Sequence, residues 1–251
     1  MRVEGEDNIE IMTPAIEETE LIVDQVLIDD GSELYTRQQS LGINAPSSVS
    51  IIGVGGVGCW TAFNFALIGV NKINLIDDDK VDVSNLNRTM YKESQVGQYK
   101  TIAMKELILE RRHKCDVIAY TRKYEDLPET VKNTIINSTV IDCRDSIKPL
   151  DKISSPIIGG YNGLNATIHV LPNLKHIFGE ETSSYTIVPS YVVVPEMLAA
   201  MIVNHICVEN RKGVVEKVTN IDFKNFLKIF DKKPARKRAT KKVGEVVVIA
   251  S

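Results

Sequence analysis

The chain has 251 residues, 43% hydrophobic and 25% charged, with a formal net charge of −3 at pH 7. That length and apolar content can bury a full α/β core in one domain. No apolar run reaches the ~18 residues of a membrane helix, since the longest candidate, 187–203, is broken by Pro189, Pro195 and Glu196. The four cysteines (Cys59, Cys115, Cys143, Cys207) are scattered and form no metal spacing. A disulfide framework, a zinc ribbon and a membrane span are therefore excluded, and a cytoplasmic protein in a reducing compartment is expected.

Residues 1–34 form an acidic arm with eleven Asp or Glu and one Arg. This is unlike the basic-then-apolar start of a signal sequence. Within the arm, 19–30 (TELIVDQVLIDD) reads as a strand or a short docking helix. A domain is expected over 35–230. It begins with an apolar strand, Val49–Ile52, followed at once by Gly53-x-Gly55-Gly56-x-Gly58 and a helix from Trp60 towards Leu67. Glycines in that turn let backbone N–H groups approach a phosphate, and the positive end of the helix dipole points to the same place. The next strand, Lys72–Ile76, ends at Asp77, 19 residues beyond Gly58. Strand, glycine turn, helix, strand and terminal acid together are the context of a nucleotide fingerprint, in which the acid accepts from ribose hydroxyls.

Asp77-x-Asp79 then runs on through Asn85 to Arg88, which a simple dinucleotide dehydrogenase has no evident need for. A triphosphate does need it, because charge builds on departing pyrophosphate and fixed cations stabilise it. Arg88 and Lys100 are the candidates. Lys100 opens a predicted helix, Tyr99–Arg112, with an apolar stripe of Ala103, Met104, Leu107 and Ile108. A further strand, Thr139–Cys143, carries Asp142, Arg144 and Asp145 at its carboxyl end, where ligands of open α/β sheets gather. A carboxylate there can hold Mg²⁺ against phosphates.

GVGGVG, IDDDKVDVSNLNR, VGQYK and VIDCRD, in that order and preceded by YTRQQ, resemble the ThiF/MoeB superfamily of adenylating enzymes, to which the ubiquitin-activating enzymes belong. The resemblance covers roughly residues 34–203. It implies a Rossmann-like, doubly wound and mostly parallel α/β sheet with a β-rich C-terminal half. It also implies an ATP- and Mg²⁺-dependent adenylyltransferase that converts a substrate carboxylate, the C-terminus of a ubiquitin-like or sulfur-carrier protein or of a peptide, into an acyl-adenylate with release of pyrophosphate. Carried over residue by residue, the glycines Gly53, Gly55, Gly56 and Gly58 cradle the nucleotide and Asp77 binds ribose. Asp79, Asn85 and Arg88 line the phosphates, Lys100 neutralises them, and Asp145 holds magnesium. Arg37 is then an arginine finger acting in trans within a homodimer.

Three departures qualify the resemblance. Thr89 stands where the family usually has Gln, Ser146 follows Asp145 where Asn is usual, and the paired CxxC zinc site is missing. The stretch from about Pro172 to Pro195, where relatives carry a transfer cysteine, has none. Cys59 at the helix start is expected to pack beside the nucleotide rather than react. These absences bring the chain near the tRNA threonylcarbamoyl-adenosine dehydratases of the superfamily. A non-catalytic partner subunit is a second alternative, and an NAD(P)-dependent enzyme a third.

Beyond Asp145 the pattern is β-rich, with strands expected at Ser155–Gly160, Asn165–Leu171 and Tyr185–Val188 before a helix from about Pro195 to Glu209. Gly159, Gly160 and Gly163 are equally readable as turns or as room for a substrate backbone. The four histidines (113, 169, 176, 205) form no HxxxH pair and read as structural or surface residues. A basic tail follows over 231–251, in which 232–242 holds seven Lys or Arg and no acid. It is a solvated linker, a contact for tRNA or an acidic partner, or a mate for the acidic arm.

Overall fold

A computed structural model of the chain describes residues 33–146, 148–169, 189–208 and 218–226. Seven strands form one sheet in the order β3-β2-β1-β4-β5-β6-β7. They are β1 (Ser48–Ile52), β2 (Lys72–Ile76), β3 (Asp116–Tyr120), β4 (Thr139–Asp142), β5 (Ile157–Asn162), β6 (Asn165–His169) and β7 (Val218–Asp222). The first five strands pair in parallel, while β5–β6 and β6–β7 are antiparallel. The architecture is thus Rossmann-like, with the chain winding outwards from β1 to β3 and then restarting on the other side of β1 at β4. The β-rich second half extends this same sheet.

Alternation along the strands splits the core in two. On one face Val49, Ile51, Ile73, Leu75 and Ile141 meet three helices: α2 (Gly56–Ile68), α3 (Lys100–Arg111) and α5 (Val193–Cys207). On the other, Ile52, Ile76 and Val140 pack with Tyr124, Leu127 and Ile135, the last from α4 (Glu129–Ile136). The first face dominates. Phe65, Met104, Ile108 and Leu198 are each under 2% exposed there, and each such side chain is worth roughly 1.5–3 kcal/mol on burial. The stripe on α3 (Ala103, Met104, Leu107, Ile108) is buried as its spacing predicts.

Several boundaries differ from those expected. α2 begins at Gly56, four residues before Trp60, because Gly56–Gly58 are themselves the first helical turn. The Cys59 N–H already donates to the Gly55 carbonyl at 3.1 Å. The helix expected at Pro195–Glu209 runs Val193–Cys207, and the strand expected at Ser155–Gly160 starts two residues later. β3, α4 and β7 were not legible: β3 (DVIAY) is short and only partly buried, and α4 is eight residues long. The expected strand Tyr185–Val188, most of the 172–195 stretch, the acidic arm up to Gly31-Ser32 and the basic tail lie outside the described residues.

Two glycines answer a question the sequence left open. A Cβ on Gly159 would lie 2.5 Å from Ile202 Cδ1 on α5, and Gly163 turns the β5–β6 hairpin at φ +59°. Both therefore serve packing and turning within the fold.

Candidate active site

The glycine turn is held by close contacts. Gly53 sits at φ +84°, and a Cβ there would meet the Cys143 carbonyl at 2.8 Å; one on Gly58 would lie 1.9 Å from the Gly53 carbonyl oxygen. Only glycine permits these approaches. A Cβ on Gly55, by contrast, would meet nothing within 4 Å. No side chain caps the N-terminus of α2, and the space beside its cap residue Gly55 is open, as it is where helices bind phosphates.

That space is a cavity of about 520 Å³, at the carboxyl ends of the central strands beside the β1/β4 reversal. Gly53, Gly55, Asp77, Asp79, Lys100 and Asp145 all line it. Six residues predicted from four motif segments thus converge. Asp77 follows β2 directly. Its Oδ2 accepts from the Val54 N–H at 2.6 Å and its Oδ1 from the Asp79 N–H at 2.8 Å, which fixes the carboxylate against the turn. Burial raises its pKa, while Lys100 and those two N–H groups pull in the other direction.

Lys100 is the first residue of α3, where a cation opposes the helix dipole. Its side chain is 12% exposed and its Nζ lies 2.7 Å from Asp79 Oδ2. A nearly buried lysine in a dipole-disfavoured position is the kind of local conflict that marks a functional site.

The remaining predicted residues lie elsewhere. Gly56 and Gly58 are behind the cavity, in the first turn of α2. Asn85 is 9% exposed and builds a turn: its Oδ1 accepts from the Asp82 N–H at 3.1 Å, while Asp82 accepts from the Ser84 N–H at 2.8 Å. Arg88 is not among the cavity-lining residues. Its guanidinium donates to the Ser84 carbonyl and to Asn87 Oδ1, and its own carbonyl accepts from the Trp60 indole N–H at 3.1 Å. Arg37 is exposed on α1 (Thr36–Gln39), a short helix docked at the other end of α2. There Gln38 Nε2 donates to the Ile68 carbonyl at 2.8 Å, and the Tyr35 ring lies against Gly69 with Arg112 at 5.1 Å. The 13 residues of α2 put roughly 20 Å between that end and the glycine turn.

One wall of the cavity escaped the sequence reading. Arg122, Lys123, Tyr124 and Glu125 come from the connection after β3, a strand that carried no clear signal. Arg144 was visible in VIDCRD but had no assigned role. Its side chain is 14% exposed and pairs with Asp142 and with Glu125 at 3.0 and 2.6 Å. It also donates to the Lys148 carbonyl at 2.7 Å, so it ties β4, the β3 connection and the segment after Asp145 together.

Oxygen donors dominate the site. Asp145 is exposed on the cavity wall, and Asp77, Asp78 and Asp79 carry carboxylate oxygens within 4.8 Å of one another. Asp77 is engaged by backbone N–H groups and Asp79 by Lys100. One or two carboxylates with phosphate oxygens suit the habits of Mg²⁺.

The thiols point away from covalent chemistry. Cys59 is fully buried in the core, not beside the cavity, and burial pushes its pKa up to about 12. Burial also raises Cys143 well above its ordinary value, Cys115 to a lesser degree, and Cys207 to about 11. A thiol held in that range is a poor nucleophile at neutral pH.

Residues 37–155 match the ThiF family. The tRNA threonylcarbamoyladenosine dehydratase of Bacillus subtilis is 34% identical over 146 residues, covering 54% of this chain and 57% of that one. The NEDD8-activating enzyme E1 catalytic subunit of Caenorhabditis elegans is 40% identical over 81 residues, 32% of this chain and 19% of its own. Among solved structures, PaaA superposes with a TM-score of 0.57 at 22% identity, over 71% of this chain and 61% of that one, a likeness of fold. The chain spans little more than half the length of the first of these relatives and less of the second.

Proposed function

From the premise that this chain carries a ThiF family domain over residues 37–155, we propose that it is an ATP-dependent adenylating enzyme acting on a carboxylate. The observation that carries this reading is the convergence of Gly53, Gly55, Asp77, Asp79, Lys100 and Asp145 on one cavity at the sheet's reversal point. Asp77 holds ribose, the first turn of α2 receives phosphate, and Lys100 shifts from Asp79 towards the triphosphate. Asp145 holds Mg²⁺, which when bound offsets charge on the phosphates and the departing pyrophosphate. Arg88 and Asn85 shape the loop beside the phosphates, and Arg88 reaches them by turning from its own loop carbonyl.

The site is shared between two copies. Arg37 stands too far along α2 to reach the cavity of its own chain, which supports delivery to a partner's. In this homodimer each site borrows one arginine. With four thiols raised by burial, the adenylate passes to an acceptor outside this chain's own cysteines. Four cysteines outside disulfides also suit a reducing, cytoplasmic setting.

Two substrate classes fit. One is the C-terminus of a protein or peptide, favoured by the identity to an activating-enzyme subunit. The other is a tRNA-borne threonylcarbamoyl group, favoured by the identity to the Bacillus subtilis dehydratase, with 232–242 supplying phosphate contacts. Deleting residues 232–251 tests the tail: unchanged retention of tRNA would show that it supplies no such contacts.

The test of the adenylation reading is ligand-dependent stability followed by turnover. At a hundred times its dissociation constant, Mg-ATP adds about 2.7 kcal/mol of stability; NAD adds nothing. Asp145→Ala keeps the fold and loses magnesium-dependent pyrophosphate release by about a hundredfold or more. Mixing Asp145→Ala with Arg37→Ala protein restores part of the activity, because one composite site in the mixed dimer is intact. Normal turnover by Asp145→Ala would overturn the assignment, and a demonstrated mixed dimer without recovery would refute the trans arginine.

A further inference from the structure

Arg88 and Asp145 sit on different segments and only Asp145 lines the cavity. Tyr161, the fifth residue of β5, is tied through Ser190 to the Arg88 loop. Its ring packs against the main core, and its hydroxyl lies 2.6 Å from Ser190 Oγ. The same hydroxyl would be 2.9 Å from a Cβ on Gly56, the first residue of α2, with Pro195 alongside at 3.4 Å. Ser190 is itself latched to the Arg88 loop, since Asn87 Nδ2 donates to its carbonyl at 3.1 Å. Resting on the adenylation reading above, we infer that Tyr161 receives the substrate's carboxylate: its hydroxyl, over the first turn of α2 and beside Arg88, is the donor that holds and orients it next to the α-phosphate.

The chemistry asks for a donor at that place. One carboxylate oxygen forms the new bond to the α-phosphorus of ATP. The bond from that phosphorus to the oxygen bridging to the β-phosphate breaks, and its electron pair leaves with pyrophosphate. No proton changes hands. The second carboxylate oxygen becomes the carbonyl oxygen of the acyl-adenylate, and it accepts from Tyr161 both before and after the step. Burial first, and Asp145 further, raise the pKa of the phenol, against opposing contributions from Ser190 and Arg88; the hydroxyl keeps its proton and donates. Because the accepting oxygen loses charge on adenylation, Tyr161 contributes to substrate binding more than to the rate of the step.

A position on the acyl side of the nucleotide separates Tyr161 from the phosphate residues, and two ligands read the difference. AMP fills only the nucleotide side. The acyl-adenylate mimic 5′-O-(N-glycyl)sulfamoyladenosine also presents the carbonyl oxygen. The expected result for full-length Tyr161→Phe, measured by calorimetry, is a loss of about five- to tenfold in affinity for the mimic, with AMP affinity within about twofold of the parent. Ser190→Ala, which removes the anchor and leaves the phenol, gives a smaller loss for the mimic alone, and it carries the comparison if Tyr161→Phe does not fold. Equal losses for both ligands would mean a merely structural role, and no loss for either would overturn the assignment. A parent protein that binds AMP but not the mimic also overturns it while leaving the nucleotide site standing. Binding of neither ligand takes down the adenylation reading, and this inference with it.

Discussion

The two ends of α2 are both governed by glycine, and they are put to opposite uses. At the C-terminal end Gly69, at φ +105°, turns its N–H back to the Ala66 and Phe65 carbonyls, Gln38 satisfies Ile68, and the Tyr35 ring fills the space beside it. The Phe65, Ala66 and Ile68 carbonyls there all have partners from within the chain. At the N-terminal end the glycines bring β1, β4 and α2 into contact, yet no side chain caps the helix and the space around Gly55 is open. A helix end completed by its own chain is a structural joint. One left incomplete beside a cavity of about 520 Å³ is completed by a ligand.

The sharpest way to break this comparison is within the glycine turn itself. Gly58→Ala drives a Cβ to 1.9 Å from the Gly53 carbonyl. It is expected to cost about 4 kcal/mol or more, seen as a fall of roughly 10 °C or more in the unfolding midpoint or as insoluble protein. Gly55→Ala, three residues away, meets nothing within 4 Å. It should leave the midpoint nearly unchanged while weakening ATP binding about tenfold or more, which is 1.4 kcal/mol. Equal stability losses for the two variants would show that the open end is as closed as the other. At that closed end, Gly69→Ala strains a left-handed residue and pushes on the Tyr35 ring. A loss of about 1–2 kcal/mol with unaltered ATP affinity in urea-unfolding and titration experiments would place it as a joint.

The smallest effect is in pH. Burial raises the Asp77 pKa above its ordinary value. The folded state therefore holds that proton more tightly than the unfolded chain does. Ionised Asp77 detracts from stability above its folded pKa, and this penalty is relieved as pH falls through that value. Nucleotide binding runs the other way, because the ribose needs an ionised acceptor. ATP affinity should decline as pH falls through a window above the usual aspartate range, and Asp77→Asn should remove that decline. A parent protein whose affinity is flat across this window would refute the ribose role.

What could be read from the sequence depended on how local the determinant was. The turn, the strand before it and Asp77 were legible because each is set by neighbours in sequence: glycine for close approach, alternation for burial, an acid at a strand's end. The start of α2 was misplaced by four residues because glycine has low helix propensity, whereas packing against Gly53 and β4 decides the matter here. The wall formed by Arg122 to Glu125 was hidden behind β3, whose five residues have neither full burial nor clean alternation. Arg144 and Tyr161 were hidden for a different reason. Their partners are 19 and 29 residues away in Glu125 and Ser190, and no spacing rule anticipates such meetings.

Trp60 is the sole tryptophan of the chain, and its indole N–H is tethered to the Arg88 carbonyl. The protein thus has a built-in optical reporter on a single loop. A ligand that draws Arg88 inward shifts the polarity and hydrogen bonding of the one dominant emitter, so emission intensity and wavelength follow that movement in real time and without a label.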